Sequence, residues 1–239
     1  MIESRYYFSS PATELDDDVI KHIVNIIGSV DTAAFLVSAD CIDNNDPDIL
    51  KKLVETVQAL NIAVLISDDV ASMNILLADG VQIASEINHF KSCRQALGDR
   101  FIIGAYVGSS KHEAMLFGEL HADYVAFGPD IIATNSTDSA ANDGASNQTS
   151  NHGQNRNQAV INLAIWWREM FAIPAIAYLT TSEKVENIKF IDQFPDFVAL
   201  LPEFWANKTH ENWLKSLNSK SLETKSLDNQ NLTGKSPES

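Results

Sequence analysis

Six carboxylates in this 239-residue chain stand where an apolar run gives way to polar sequence: Asp40, Asp68, Asp69, Glu86, Asp130 and Glu203. Two such groups, correctly placed, hold a hard divalent cation such as Mg2+, which wants near-octahedral oxygen ligands. Without a bound cation, the same charges gathered in one mouth repel phosphates. Lys111 is the only base at a comparable junction. As a strand-end carboxylate, Asp68 is a site candidate. Asp68 also reads as the cap of a helix that begins at Val70. Ser67, Tyr106, Thr134, Tyr178 and Thr180 lie at the same junctions and, with Asp68, are candidate ligand-binding residues. His112, His121 and His152 have no carboxylate or second His at a metal spacing, and Cys41 and Cys93 form neither a zinc pattern nor a disulfide framework.

These groups need a frame, and the order of apolar runs supplies one. Short runs at 5–9, 33–37, 62–66, 80–84, 101–105, 123–127, 174–178 and 197–201 read as strands buried on both faces. Between them lie helical patterns at 16–27, 46–57, 70–77, 87–97, 111–120, 158–171 and 182–194, and the segment 203–217 closes the ring. Asp46-Pro47 is a helix start, with the Asp as cap and the Pro in the first turn. Strict strand–helix alternation predicts a parallel sheet. Eight strands predict a closed (β/α)8 barrel over residues 1–217, with an open doubly wound sheet as the alternative. Residues 134–157 are nearly devoid of apolar side chains and predict a mobile polar loop between the sixth strand and the sixth helix. Residues 218–239, with Lys-Ser-Leu recurring every five residues from 215, predict a disordered tail.

Composition narrows the partners. Hydrophobic residues make up 45% and charged residues 21%, as in a globular domain. A net charge of −15 argues against nucleic acid and anionic membranes, which need a basic face. No run reaches the ~20 apolar residues of a membrane span, and the first residues do not read as an export signal, so the expected location is cytoplasmic. A small-molecule ligand and a homodimer are the expected partners.

Four segments, in order along the chain, resemble the thiamine-phosphate synthase and TenI family. Ala122-Asp123-Tyr124-Val125-Ala126-Phe127-Gly128-Pro129 is similar to its sixth-strand signature. Ser67-Asp68-Asp69-Val70 with Asp79-Gly80-Val81 resembles its Asn-Asp-x-Val and Ala-Asp-Gly-Val-His elements at the same spacing. Ile102-Ile103-Gly104 and Ile173-Pro174-Ala175-Ile176-Ala177 resemble its fifth and seventh strands. The resemblance spans about residues 4–205. It implies a TIM barrel, a place in thiamine biosynthesis, and the joining of a pyrimidine diphosphate to a thiazole phosphate with Mg2+ bound by Asp68.

Departures from the family pattern fall on the groups that handle phosphate. Val37-Ser38-Ala39-Asp40 stands where the family has a basic diphosphate-binding element. The second metal-binding Asp aligns with Ile87, with Glu86 beside it as the substitute. Tyr106 replaces a Ser, Ile132-Ala133-Thr134-Asn135-Ser136 lacks the phosphate-loop Lys, and a Gly-Gly pair falls on Leu179-Thr180. Two readings follow. One is a transferase whose parent activity is lost or much altered. The other is a non-catalytic binding or regulatory barrel derived from that family.

Overall fold

Apolar strands alternating with amphipathic helices must bury both faces of their sheet. In the computed structural model the sheet does so by closing on itself. The structure describes residues 5–84, 86–129, 156–181, 195–206, 209–216 and 219. The strands are β1 (Arg5–Ser9), β2 (Thr32–Val37), β3 (Ala63–Ser67), β4 (Gly80–Ala84), β5 (Ile102–Gly108), β6 (Tyr124–Phe127), β7 (Ala175–Leu179) and β8 (Phe197–Leu200). All neighbours are parallel, and β8 pairs back onto β1, with Tyr6 opposite Val198. That last pairing confirms the (β/α)8 barrel and excludes the open sheet.

Among the described residues the helices are α1 (Asp17–Ile27), α2 (Ala39–Asp43), α3 (Pro47–Gln58), α4 (Val70–Leu76), α5 (Ile87–Leu97), α6 (Lys111–Glu119) and α7 (Arg156–Met170). A 3-10 turn over Pro202–Ala206 and a helical segment over 209–216 follow β8. Asp16 and Asp46 cap α1 and α3 through their Oδ1 atoms, which accept from Val19 N at 2.8 Å and Asp48 N at 2.9 Å. α2 was not foreseen. It is only five residues long, too short for an apolar period to register, and Ser38 starts it by accepting from Cys41 N at 3.3 Å. The helix expected over 182–194 lies outside the described residues, as do the polar loop up to residue 155 and all of the tail but Ser219.

Two apolar layers result. The outer one lies between strands and helices and contains Ile23, Phe35, Leu53, Phe90, Phe117 and Trp167. The inner one fills the barrel with Tyr7, Leu36, Leu65, Tyr124, Ile176 and Tyr178. At the N-terminal ends of the strands one device recurs. Asp79, just before β4, accepts from Val64 N of β3 at 2.8 Å. Asp123, just before β6, accepts from Ile103 N of β5 at 2.7 Å. Asp196, just before β8, accepts from Ala175 N of β7 at 3.0 Å. Each carboxylate satisfies an amide in the first or second residue of the neighbouring odd-numbered strand, a backbone donor that needs an acceptor. Asp31, the matching residue before β2, instead pairs with Arg5 at 3.0 Å.

Candidate functional site

Side chains that point into a parallel barrel alternate along each strand, so the C-terminal mouth is built from a predictable set of positions. A buried polar group in the barrel interior is Gln82, mid-way along β4. Tyr124 and Tyr178 donate to its Oε1 at 3.0 and 3.2 Å. Tyr7 lies 3.3 Å from the same oxygen and 3.1 Å from the Tyr124 hydroxyl. An amide oxygen has two lone pairs. Tyr124 and Tyr178 fill them, and the Tyr7 proton goes to Tyr124. Burial, reinforced by neighbouring phenols, holds Tyr7 and Tyr124 well above the ordinary phenol range. Burial pushes Tyr178 up to about 12. The Tyr124 ring lies on Gly104, where an added Cβ would come within 1.9 Å of it. That close approach requires glycine.

Tyr106 forms the next wall toward the mouth. Its ring meets Tyr178 edge-on at 5.4 Å. Its hydroxyl donates to the Pro129 carbonyl at 2.5 Å and occupies the space beside Gly128. The two candidate tyrosines are therefore brought together.

Asp68 leaves β3 with φ +54, a left-handed conformation that Asp and Asn tolerate better than most residues. Its N–H donates to Gln82 O at 3.0 Å, and its Oδ1 accepts from Ala84 N at 2.8 Å. The Nε2 of His89, on α5, donates to the Asp68 carbonyl at 3.2 Å and lies 3.7 Å from Cys93 Sγ. Desolvation on its inner side raises the Asp68 pKa, against the opposing pull of the Ala84 N–H and of His89. The cap of α4 is Asp69, not Asp68: Asp69 Oδ1 accepts from Ala71 N at 2.9 Å and Ser72 N at 3.0 Å. Hydrogen bonds from Ser72 lower its pKa.

Glu86 caps α5. One carboxylate oxygen accepts from Asn88 N at 3.1 Å and the other from His89 N. Both oxygens thus already serve helix N–H groups. Among the described residues no three His, Cys, Asp or Glu side chains cluster as a metal site.

At the exit of β7, Thr180 N–H donates to Asn157 Oδ1 at 2.8 Å, and Asn157 Nδ2 donates back to Thr180 O at 2.8 Å. The Thr180 hydroxyl donates to Glu203 Oε1 at 2.7 Å. Lys111 holds its ammonium 4.1 Å from the Trp166 ring centroid, a cation–π contact on the flank of α7. Thr134 lies outside the described residues.

Gln82, His89 and Asn157 were not picked out from the sequence. Gln82 had a signal: it is the one polar residue in Gly80-Val81-Gln82-Ile83-Ala84, and it stands where the family element has His. His89 and Asn157 reach the site through tertiary packing and carried no local signal.

The thiamine monophosphate synthase family model matches residues 36–178. Thiamine-phosphate synthase of Erythrobacter litoralis (strain HTCC2594) is 31% identical over 160 residues, covering 65% of this chain and 67% of that protein. Thiamine-phosphate synthase of Rhodospirillum centenum (strain ATCC 51521 / SW) is 29% identical over 160 residues, with 66% of each chain covered. The matches therefore span about two thirds of each relative. Among solved structures, thiamine phosphate pyrophosphorylase from Pyrococcus furiosus superposes with a TM-score of 0.60 at 18% identity, over 92% of this chain and 96% of that one. At that identity the likeness speaks to the fold alone.

Proposed function

Because this chain belongs to the thiamine monophosphate synthase family, we propose that it is a thiamine-metabolism barrel that has given up the family's diphosphate-releasing coupling and takes a phosphate-free ligand at its C-terminal mouth. The observation that carries this reading is the exit of β7. A backbone N–H at a strand end is a ready anion ligand, especially in a glycine turn. Here the Thr180 N–H is already committed to Asn157, and the adjacent hydroxyl is turned onto the Glu203 carboxylate. A phosphate placed there would meet a spent donor and a like charge.

The metal side supports the same reading. The family generally uses Mg2+. Diphosphate departure needs Mg2+ or fixed bases to take up developing negative charge. Asp68 has one oxygen on Ala84 N, and Glu86 would have to release two helix-capping bonds to coordinate. These residues do not fit the ion, and no step is assigned to it. Lys111, at its cation–π contact, serves the packing of α6 on α7.

The test is a coupled assay of thiamine phosphate formation from the pyrimidine diphosphate and the thiazole phosphate with Mg2+. No product above the protein-free rate is expected, and inorganic diphosphate with Mg2+ should leave the melting temperature unchanged. A ligand present at about a hundred-fold excess over its Kd would add about 2.7 kcal/mol of stability, which a melt detects readily. Product formation abolished by Asp68→Ala would sink the proposal.

A further inference from the structure

At the N-terminal face of the barrel, the last turn of α4 and the 3-10 turn over Gly98–Arg100 enclose a cavity of about 450 Å3. That is a ligand-sized space. Met73, Leu77, Phe101 and Ile102 supply its apolar wall, and Asn74, Asp79 and Arg100 its polar groups. The two charges in that wall do not meet. No ion pair joins Asp79 to Arg100, and among the described residues neither pairs with any other charge. Asp79 Oδ2 is shared by Val64 N at 2.8 Å and Gln58 Nε2 at 3.1 Å, while its Oδ1 accepts no hydrogen bond among the described residues. The Arg100 guanidinium lies 5.3 Å from the Phe101 ring centroid and donates to no acceptor among the described residues. In a chain with 32 carboxylate side chains against 17 bases, a base kept out of every ion pair is set apart. Opposite charges held apart across one cavity suit a molecule that carries both signs.

The apolar wall is built against local preference. Leu77 ends α4 at φ +56, the left-handed cap that glycine ordinarily fills. Its side chain is 69% exposed, so no burial within the chain offsets that conformation. Gln58, on α3, holds it there: its Nε2 donates to the Leu77 carbonyl at 3.0 Å as well as to Asp79. One amide thus fixes both the leucine and the carboxylate, the apolar and the anionic sides of the same cavity. Glycine at 77 would end the helix without strain. What leucine adds is apolar surface over the cavity.

We propose that this cavity binds a free apolar amino acid, of the leucine, methionine or phenylalanine type. The ligand's ammonium pairs with Asp79 Oδ1, its carboxylate with the Arg100 guanidinium, and its side chain lies against Leu77, Met73 and Phe101. A zwitterion answers both unpaired charges at once and brings no net charge to a chain at −15. An apolar acid would leave Asp79 unanswered beside a second carboxylate, and an apolar amine would leave Arg100 unanswered. The site lies at the opposite end of the barrel from the mouth, so it stands whichever ligand the mouth takes.

The experiment is an NMR titration of the full-length chain carrying methyl-labelled methionine. The chain has four methionines, and Met73→Leu identifies the Met73 resonance by deleting it. The probes are L-leucine, L-methionine and L-phenylalanine, with 4-methylpentanoate and 3-methylbutylamine as leucine lacking its ammonium and its carboxylate. The expected result is saturable movement of the Met73 methyl with at least one amino acid. Each truncated probe should bind about ten-fold more weakly or worse, as should the amino acid to Arg100→Gln, the range one charged hydrogen bond commands. Arg100 is an exposed turn residue without a hydrogen bond among the described residues, so Arg100→Gln leaves the fold intact. Leu77→Gly should bind more weakly while melting no lower than the parent chain, which separates loss of the wall from loss of the fold. No saturable binding through the millimolar range, equal binding of either truncated probe, or an unaltered affinity in Arg100→Gln would each overturn the assignment.

Discussion

Asp68 shows how one residue carries competing demands. The sequence marks it as a metal ligand or a helix cap, and the structure uses it as a strut: its backbone bends left-handed while its carboxylate ties β3 to Ala84. Its pKa is raised from 3.8, chiefly by desolvation. A carboxyl with a raised folded pKa contributes stability that is complete below the unfolded value and lost as pH climbs through the folded one. At neutral pH the ionised side chain is therefore a net burden. Asp68→Asn keeps an acceptor for Ala84 N and suits φ +54. We expect it to melt higher than the wild type at pH 7, with the gain vanishing as the pH falls below the carboxylate range. Melts at the two pH values check this, and a gain independent of pH would point to the backbone alone. The junctions that hold Ser67, Tyr106, Tyr178 and Thr180 were legible in the sequence, because a barrel places its strand ends at one mouth. The assignment of Asp69 rather than Asp68 to the α4 cap was not, since adjacent Asp residues are equivalent until the backbone picks one.

At the scale of elements, strands and helices were readable because burial on both faces leaves nearly continuous apolar runs, and because caps such as Asp16 and Asp46 announce helix starts. What periodicity could not show was how the strands are braced at the N-terminal end. Ala78-Asp79-Gly80-Val81, Ala122-Asp123-Tyr124-Val125 and Pro195-Asp196-Phe197-Val198 look like boundary sequence, yet each Asp holds an amide near the start of a neighbouring strand. Asp123 also pairs with Arg94 at 2.8 Å. Asp123→Ala strips a part-buried N–H of its acceptor and leaves Arg94 only its carbonyl partners Gly98 and His121, so a loss of about 1–3 kcal/mol is expected. Asp31→Ala removes only an ion pair whose side chains are 46% and 60% exposed, and should cost less than about 1 kcal/mol. Urea midpoints of the two variants decide between a bracing role and a generic surface charge; equal losses would refute the brace.

For the molecule as a whole, closure of the sheet is what the alternation demanded, and β1 meeting β8 completes it. Among the described residues no helix is long and apolar enough to cross a membrane. The interior that closure creates was the least legible part, because its polar contacts join β1, β4, β6 and β7, which lie far apart in the chain. Those contacts give the barrel an optical property. Of the five tyrosines, Tyr6 and Tyr178 are pushed from 10.0 to about 12, and burial holds Tyr7 and Tyr124 well above the ordinary phenol range too. The folded chain therefore resists becoming phenolate, while the unfolded chain ionises normally. Stability should hold up to about pH 10 and fall as the pH rises from there through about 12. In an alkaline titration most of the near-ultraviolet phenolate absorbance should then rise together with the loss of far-ultraviolet circular dichroism, as one cooperative step. Phenolate growing in ahead of the dichroism loss would mean that the tyrosine interior is wet. A single shared step would make the colour of the ionised ring a direct gauge of whether the barrel is shut.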